Sequence, residues 1–330
     1  MLTTPGLWSH KWRPITFCLI VDDFVIEYIG KCNARHLRGV LKEHYTITEY
    51  WSGTKFAGID LNWDYQQRTY RLSMKDYIRK LLLRHNHPTT THHQLSPHCH
   101  VEINYGAKAQ YTIEPAYSPP LDNASINHIQ EIFGSLLLFA CTVYYKILVT
   151  LSKIGTHQAA VTKQTNEAIS QLLDYVVTYS NDGIIYRSSD MILAAHADGA
   201  YLNINRACSY AGAYIMLSEN DPNPCQNSYV LIIAQIIKFV LSLAAKAELA
   251  VLFIYSKYIL PLYQTLSERG WPQPKTHFQT YNSTTVGVIN NNIMPRCTKS
   301  MNTRFYWLRC CKYQDKFCYY LAPGASNLAD

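Results

Sequence analysis

The stretch FCLIVDDFVIEYIG, residues 17–30, sets two adjacent carboxylates, Asp22 and Asp23, between two apolar runs. Val, Ile, Phe and Tyr favour strands and Asp is depleted from them, so residues 17–21 and 24–28 form a predicted hairpin with the acids at its tip. Asp suits a plain turn, because its side chain bonds nearby backbone N–H groups. It equally suits a metal site: two carboxylates on one rigid turn repel each other, and a shared hard cation relieves that repulsion. The local pattern leaves both readings open.

The rest of the chain bounds the setting. Its 330 residues, 48% hydrophobic and 16% charged, can bury a substantial core, and the length suits about two domains. Thirty Lys and Arg against 23 Asp and Glu give a net charge of +7, compatible with a polyanionic partner without requiring one. Ten cysteines follow no repeated spacing, and the start MLTTPGLWSHKWRP lacks the apolar core of a signal peptide. Reduced thiols and an intracellular location, cytoplasmic or nuclear, are therefore expected. Residues 229–262 have a membrane-like composition, but Lys238, Lys246, Glu248 and Lys257 interrupt them. The longest uncharged run, residues 229–237, is far short of the ~20 residues that a bilayer requires. A buried strand and a buried helix are expected there, with no membrane partner. Residues 136–145 are likewise too short to span.

Periodicity organises the chain further. ARHLRGVLKEHYTI (34–47) and KDYIRKLLLRH (75–85) have helical spacing, and FAGIDLNWD and TYRLSM read as short strands around a turn. Residues 88–120 lose periodicity and read as a linker. Two helices are predicted across residues 125–180. GIIYRSSDMILAAHADGAYL then gives two strand-like runs, followed by a long apolar helix around Glu248, the strand-like HFQTYNSTTVGVI and the basic PRCTKSMNTRFYWLRC. Strands alternating with helices favour an α/β arrangement.

Two clusters suggest zinc. His85, His87, His92, His93, His98, Cys99 and His100 crowd the linker, and Cys297, Cys310, Cys311 and Cys318 lie near the end. Neither has the paired spacing of a scaffolded zinc site, and solvated histidines and free thiols are the plainer expectation. No nucleotide-binding glycine loop, G-x-S-x-G elbow or H-E-x-x-H motif is present.

Taken in order, TPGLWSHKWRPITFCLIVDDF, IQEIFGSLLLFA, SDMILAAHADGAYL, KAELAVLF, QTYNSTTVGVINN, KSMNTRFYWLR and YYLAPGASNLAD resemble the end of a copia-type LTR retrotransposon Pol polyprotein. The resemblance is to the C-terminal part of its reverse transcriptase followed by its ribonuclease H, in a degenerate copy, and it covers essentially the whole chain. It implies an α+β and α/β chain: a partial reverse transcriptase palm and thumb (1–87), a linker (88–124), a helical connection (125–183) and a ribonuclease H-like mixed-sheet domain (184–330). It implies that Asp22 and Asp23 bind two Mg²⁺ ions, which align the primer 3′-hydroxyl and stabilise phosphoryl transfer. The third polymerase aspartate and the fingers are expected on an upstream segment missing from this chain. FAGIDLNWD looks like the primer-gripping region and residues 75–85 like part of the thumb, with an ordinary amphipathic hairpin and helix as the alternative. RNA, DNA and RNA–DNA hybrid, together with other Pol segments, are the implied partners, in the cytoplasm (particle-associated) or the nucleus.

For the ribonuclease H, the resemblance implies four carboxylates around two metals roughly 4 Å apart. Asp198 and Glu248 stand where the first two belong. Tyr281 and Asn302 occupy the third and fourth positions, where the family has Asp, and Tyr306 replaces a residue that is often His. Asn keeps one neutral oxygen, and Tyr is a bulky phenol with an ordinary pKa near ~10. The implied activity is Mg²⁺-dependent DNA synthesis on RNA and cleavage of RNA in a hybrid, impaired or absent in this chain. A non-catalytic nucleic-acid-binding remnant is the alternative. An N-terminal turn carboxylate and a solvated helix position are the plain readings of Asp198 and Glu248.

Overall fold

In a computed structural model, residues 4–88, 93–99, 118–204, 208–221, 224–237, 241, 244–291, 302–321 and 327–329 are described. The first apolar runs pair as expected. β1 (Leu7–Ser9), β2 (Ile15–Ile20) and β3 (Asp23–Tyr28) form an antiparallel sheet, closed by the pair Ile20 and Asp23. Val21 and Asp22 make the turn. Val21 takes φ 57°, a left-handed conformation that costs a β-branched residue about 1–3 kcal/mol. α1 (Lys31–His44) packs on β3.

β4 (Lys55–Phe56), β5 (Ile59–Asp64) and β6 (Thr69–Ser73) begin a second antiparallel sheet, and α2 (Lys75–Arg84) buries Ile78 and Leu81 beneath it. The described part of this segment is tied down at points, while His93, Leu95 and Cys99 stand exposed. His87 Nε2 lies 2.8 Å from Asp174 Oδ1, His98 Nδ1 lies 3.2 Å from the Thr150 hydroxyl, and Cys99 Sγ donates to Gln171 at 2.8 Å. His92, His100 and Cys297 lie outside the described residues.

Three helices stand where two were expected. α3 (Asn123–Thr142) is capped by Asp122, whose side chain accepts from Ser125 N–H, and it stops at Val143, whose φ is −138°. Thr142 and Val143 are weak helix formers, and Tyr144 gains more by turning inward against Phe139 and Tyr175. A 3₁₀ turn (Tyr145–Ile147), α4 (Leu148–Gly155) and α5 (Lys163–Thr178) complete this unit.

β7 (Gly183–Arg187) then returns to pair with β6, so the strand read as opening the last section completes the second sheet. Gly183 permits this, because a Cβ there would collide with the Leu72 carbonyl oxygen. β8 (Ile192–Ile204), β9 (Cys208–Ser218) and β10 (Tyr229–Ile237) form an antiparallel meander. α6 (Ala244–Glu268) crosses back to β11 (Thr276–Thr280), which runs parallel to β8. α7 (Ser283–Ile289) and α8 (Asn302–Tyr313) lead to β12 (Phe317–Leu321), parallel to β11. The sheet order is β10-β9-β8-β11-β12.

HFQTYNSTTVGVI is strand only as far as Thr280. The Asn282 side chain accepts from Thr285 N–H at 2.9 Å and starts a helix instead. α6 is long and apolar enough to cross a membrane by length and composition; its Ala247, Ala250, Val251, Leu252, Tyr255 and Ile259 fill the core against β8 and β9. On the opposite face the helical unit packs on β10, where the Tyr229 hydroxyl donates to the Ala140 carbonyl at 3.5 Å. Arg269, just after α6, pairs with Glu27 of β3.

Replacing Gly183 by Ala should separate β7 from β6 at a cost of about 1–3 kcal/mol. A lowered thermal midpoint of the full chain would register this; an unchanged midpoint would show that β7 does not lie as close to Leu72 as described.

Candidate functional site

β8 and α6 meet at a glycine. Gly199 follows Asp198, and a Cβ on it would lie 3.1 Å from Val251 Cγ2 and 3.2 Å from the backbone of Ala247 and Glu248. Without that side chain the strand lies directly on the first turns of the helix, which brings Asp198 and Glu248 into one site. β11 runs parallel beside β8 with Gln279 level with His196. Two residues further on, the same register brings Tyr281 level with Asp198.

Each acid is held by a nearby donor. Asp198 Oδ1 accepts from Gly199 N–H at 2.8 Å. Glu248 is 1% exposed, and its Oε2 accepts from the fully buried Thr280 hydroxyl at 3.2 Å. Oε1 is buried with no partner of hydrogen-bond geometry. Burial first, and then the negative charge of Asp198, push the Glu248 carboxyl up to about 7, although the Tyr281 and Thr280 hydroxyls pull the other way. The Tyr281 hydroxyl lies within reach of both acids, with one proton to offer between them. Partial burial, the charge of Glu248 and the bond to Asp198 raise its phenol well above the usual range, so it stays a neutral donor.

Asp198, Glu248 and Tyr281 therefore share one site. Asn302 opens α8, and its side chain lies outside the described residues; Tyr306 is an exposed position on the same helix. Two contributors were not singled out from sequence. Thr280, which fixes Glu248, is signalled only by its place beside Tyr281, and Gly199 by following an acid in a strand otherwise rich in Ala. Asp22 and Asp23 stand exposed at the hairpin tip. Among the described residues no group of three His, Cys, Asp or Glu is placed to hold a metal ion, at the hairpin, the histidine-rich segment or this site.

The donors fit a single hard cation in part. Two carboxylates repel each other here, and one buried oxygen is unpartnered, which a divalent ion would correct. Beyond these two acids the neighbouring group is a neutral phenol, so the described side chains here supply too little charge to balance two divalent ions.

No family model matches the chain, and no curated protein matches it. Solved structures do. The ribonuclease H1 LC11, isolated from compost by metagenomics, is 12% identical with a TM-score of 0.30, covering 42% of this chain and 88% of that one. Ribonuclease H1 from the halophilic archaeon Halobacterium salinarum is 14% identical with a TM-score of 0.29, covering 42% and 90%. The foamy viral protease-reverse transcriptase in complex with double-stranded DNA is 15% identical with a TM-score of 0.35, covering 68% of this chain and 43% of that one. These likenesses concern the course of the backbone; the chemistry of the site rests on this chain's own side chains.

The raised Glu248 pKa fixes a sign. An acid whose folded pKa, about 7, exceeds its ordinary 4.5 stabilises the fold while protonated and loses that contribution as pH rises between the two values. In chelator, stability should fall over that interval by up to about 3 kcal/mol relative to Glu248→Gln. Parallel pH profiles for the two proteins would refute the buried, protonated acid.

Proposed function

We propose that this chain is a remnant of an RNA-directed DNA polymerase with ribonuclease H, of copia-type retrotransposon origin, whose RNA-cleaving site is impaired. The Tyr281 phenol carries this reading: it sits on Asp198 and Glu248, the two acids expected to bind metal. Divalent ions, Mg²⁺ by resemblance, supply an activated water and a sink for charge on the leaving oxygen when bound. Asp198 and Glu248 would hold such an ion, oriented by Gly199 N–H and the Thr280 hydroxyl.

The tyrosine opposes that role twice over. Its hydroxyl takes up carboxylate lone pairs that a cation needs, and it adds no charge of its own. Asn302 offers at best a neutral amide oxygen. Asp22 and Asp23 belong to the same proposal as the polymerase pair, on a strained turn that holds both acids at its tip; DNA synthesis would need a third carboxylate and a nucleotide-binding surface besides these. Hybrid, RNA and DNA as partners agree with the net charge of +7. The domain boundaries stated from sequence and a particle-associated or nuclear location go with this reading. The Tyr281 contact also favours the second reading, a nucleic-acid-binding remnant without catalysis.

Cleavage of a labelled RNA–DNA hybrid in Mg²⁺ or Mn²⁺ tests the proposal, comparing the unmodified chain with Tyr281→Asp plus Asn302→Asp. The double variant should cleave faster by at least about 100-fold, the upper scale seen when metal-site partners are lost. Equal rates, or no cleavage by either protein, would contradict it.

A further inference from the structure

Residues 327–329 lie on the face of β8 and β9 turned away from α6. Along β8, Ala195 and Ala197 enter the core under α6, while Ala194 points the other way. Leu328 and Ala329 pack on that second face, against Ala194, Tyr214 and Met216, and Leu328 N–H donates to His196 Nδ1 at 3.4 Å. Gly212, level with Asp198 in the β8–β9 register, makes room for them: a Cβ on it would lie 2.7 Å from the Ala329 carbonyl oxygen.

Asn327 is the polar anchor of this contact. It is 8% exposed, its Nδ2 donates to the Ala197 carbonyl at 3.0 Å, and its Oδ1 accepts from Ala329 N–H at 3.1 Å. A carbonyl on one side and an N–H on the other leave the amide a single orientation, which a carboxylate could not reproduce. The bond falls where a strand ladder stops. β8 pairs with β11 from Ala194 to His196, and just past that point the Ala197 carbonyl is met by this side chain from a distant segment. Each peptide group is planar. The Ala197 carbonyl lies in the plane that leads into Asp198, and Gly199 N–H, in the plane that leads out, donates to Asp198 Oδ1 at 2.8 Å. Both planes that set the direction of the Asp198 side chain are thus held, one by Asn327 and one by the carboxylate itself. Loss of the Asn327 bond would leave the first plane to β9 alone.

We propose that Asn327 is a positioning residue for Asp198: by holding the Ala197 carbonyl where β11 leaves β8, it fixes the backbone that aims the carboxylate into the site shared with Glu248. The proposal rests on the functional reading above only in giving Asp198 a metal to hold.

Backbone amide exchange in the full chain, without metal, tests this at Gly199, with the fully buried Ile259 of α6 as the reference for the domain as a whole. Asn327→Ala and Asn327→Asp should each speed exchange at Gly199 by about 2- to 10-fold, the range of one neutral hydrogen bond, and leave Ile259 unchanged. Asp keeps the acceptor for Ala329 N–H and loses only the donor, so it separates the positioning of Asp198 from closure of the local turn. Unchanged exchange at Gly199 in Asn327→Ala, recovery in Asn327→Asp, or equal acceleration at Ile259 would overturn the proposal. In the Tyr281→Asp protein, adding Asn327→Ala should weaken Mn²⁺ binding by at least about tenfold; equal affinity would overturn it as well. No Mn²⁺ binding by Tyr281→Asp, with Gly199 still answering to Asn327, would remove the metal reading and support the positioning of Asp198.

Discussion

The approach of β8 to α6 at Gly199 is the contact on which the candidate site depends. A side chain at that position would meet the helix backbone itself, so the glycine sets how near Asp198 and Glu248 come to each other. Their closeness then sets the electrostatics. Glu248 is taken out of water beside another acid, and the lowest-energy answer without a cation is to keep a proton up to about pH 7. Tyr281, a neutral donor in reach of both acids, is a second answer to the same problem.

The large sheet holds this arrangement from both sides. α6 fills one face with small and branched side chains, and the helical unit covers the other through Tyr145, Tyr214 and Tyr229. β7 ties the second sheet into the same body, and the Glu27–Arg269 pair joins the first sheet to the end of α6. The carboxylate site thus sits where the packing of the largest core is decided.

Much of this was legible in the chain. The hairpin with Asp22 and Asp23 at its tip, the helix around Glu248 and a strand carrying Asp198 followed from periodicity and from the order of the blocks; that strand does not end at Asp198, as read, but runs on to Ile204. Where the reading fell short, tertiary packing decided. The break at Val143 depends on where Tyr144 can be buried, β7 pairs with a strand more than a hundred residues earlier, and Asn282 ends a strand-like run by capping a helix. The docking of His87 on Asp174 has no local signal. Thr280 became visible only once Glu248 lay beside it.

The central claim is that Tyr281 competes with a cation for Asp198 and Glu248. Titration of the full chain with Mn²⁺, with bound metal followed by electron paramagnetic resonance, tests it directly against Tyr281→Asp. The account predicts that the aspartate variant binds at least about tenfold tighter. Equal affinity in the two proteins would contradict it.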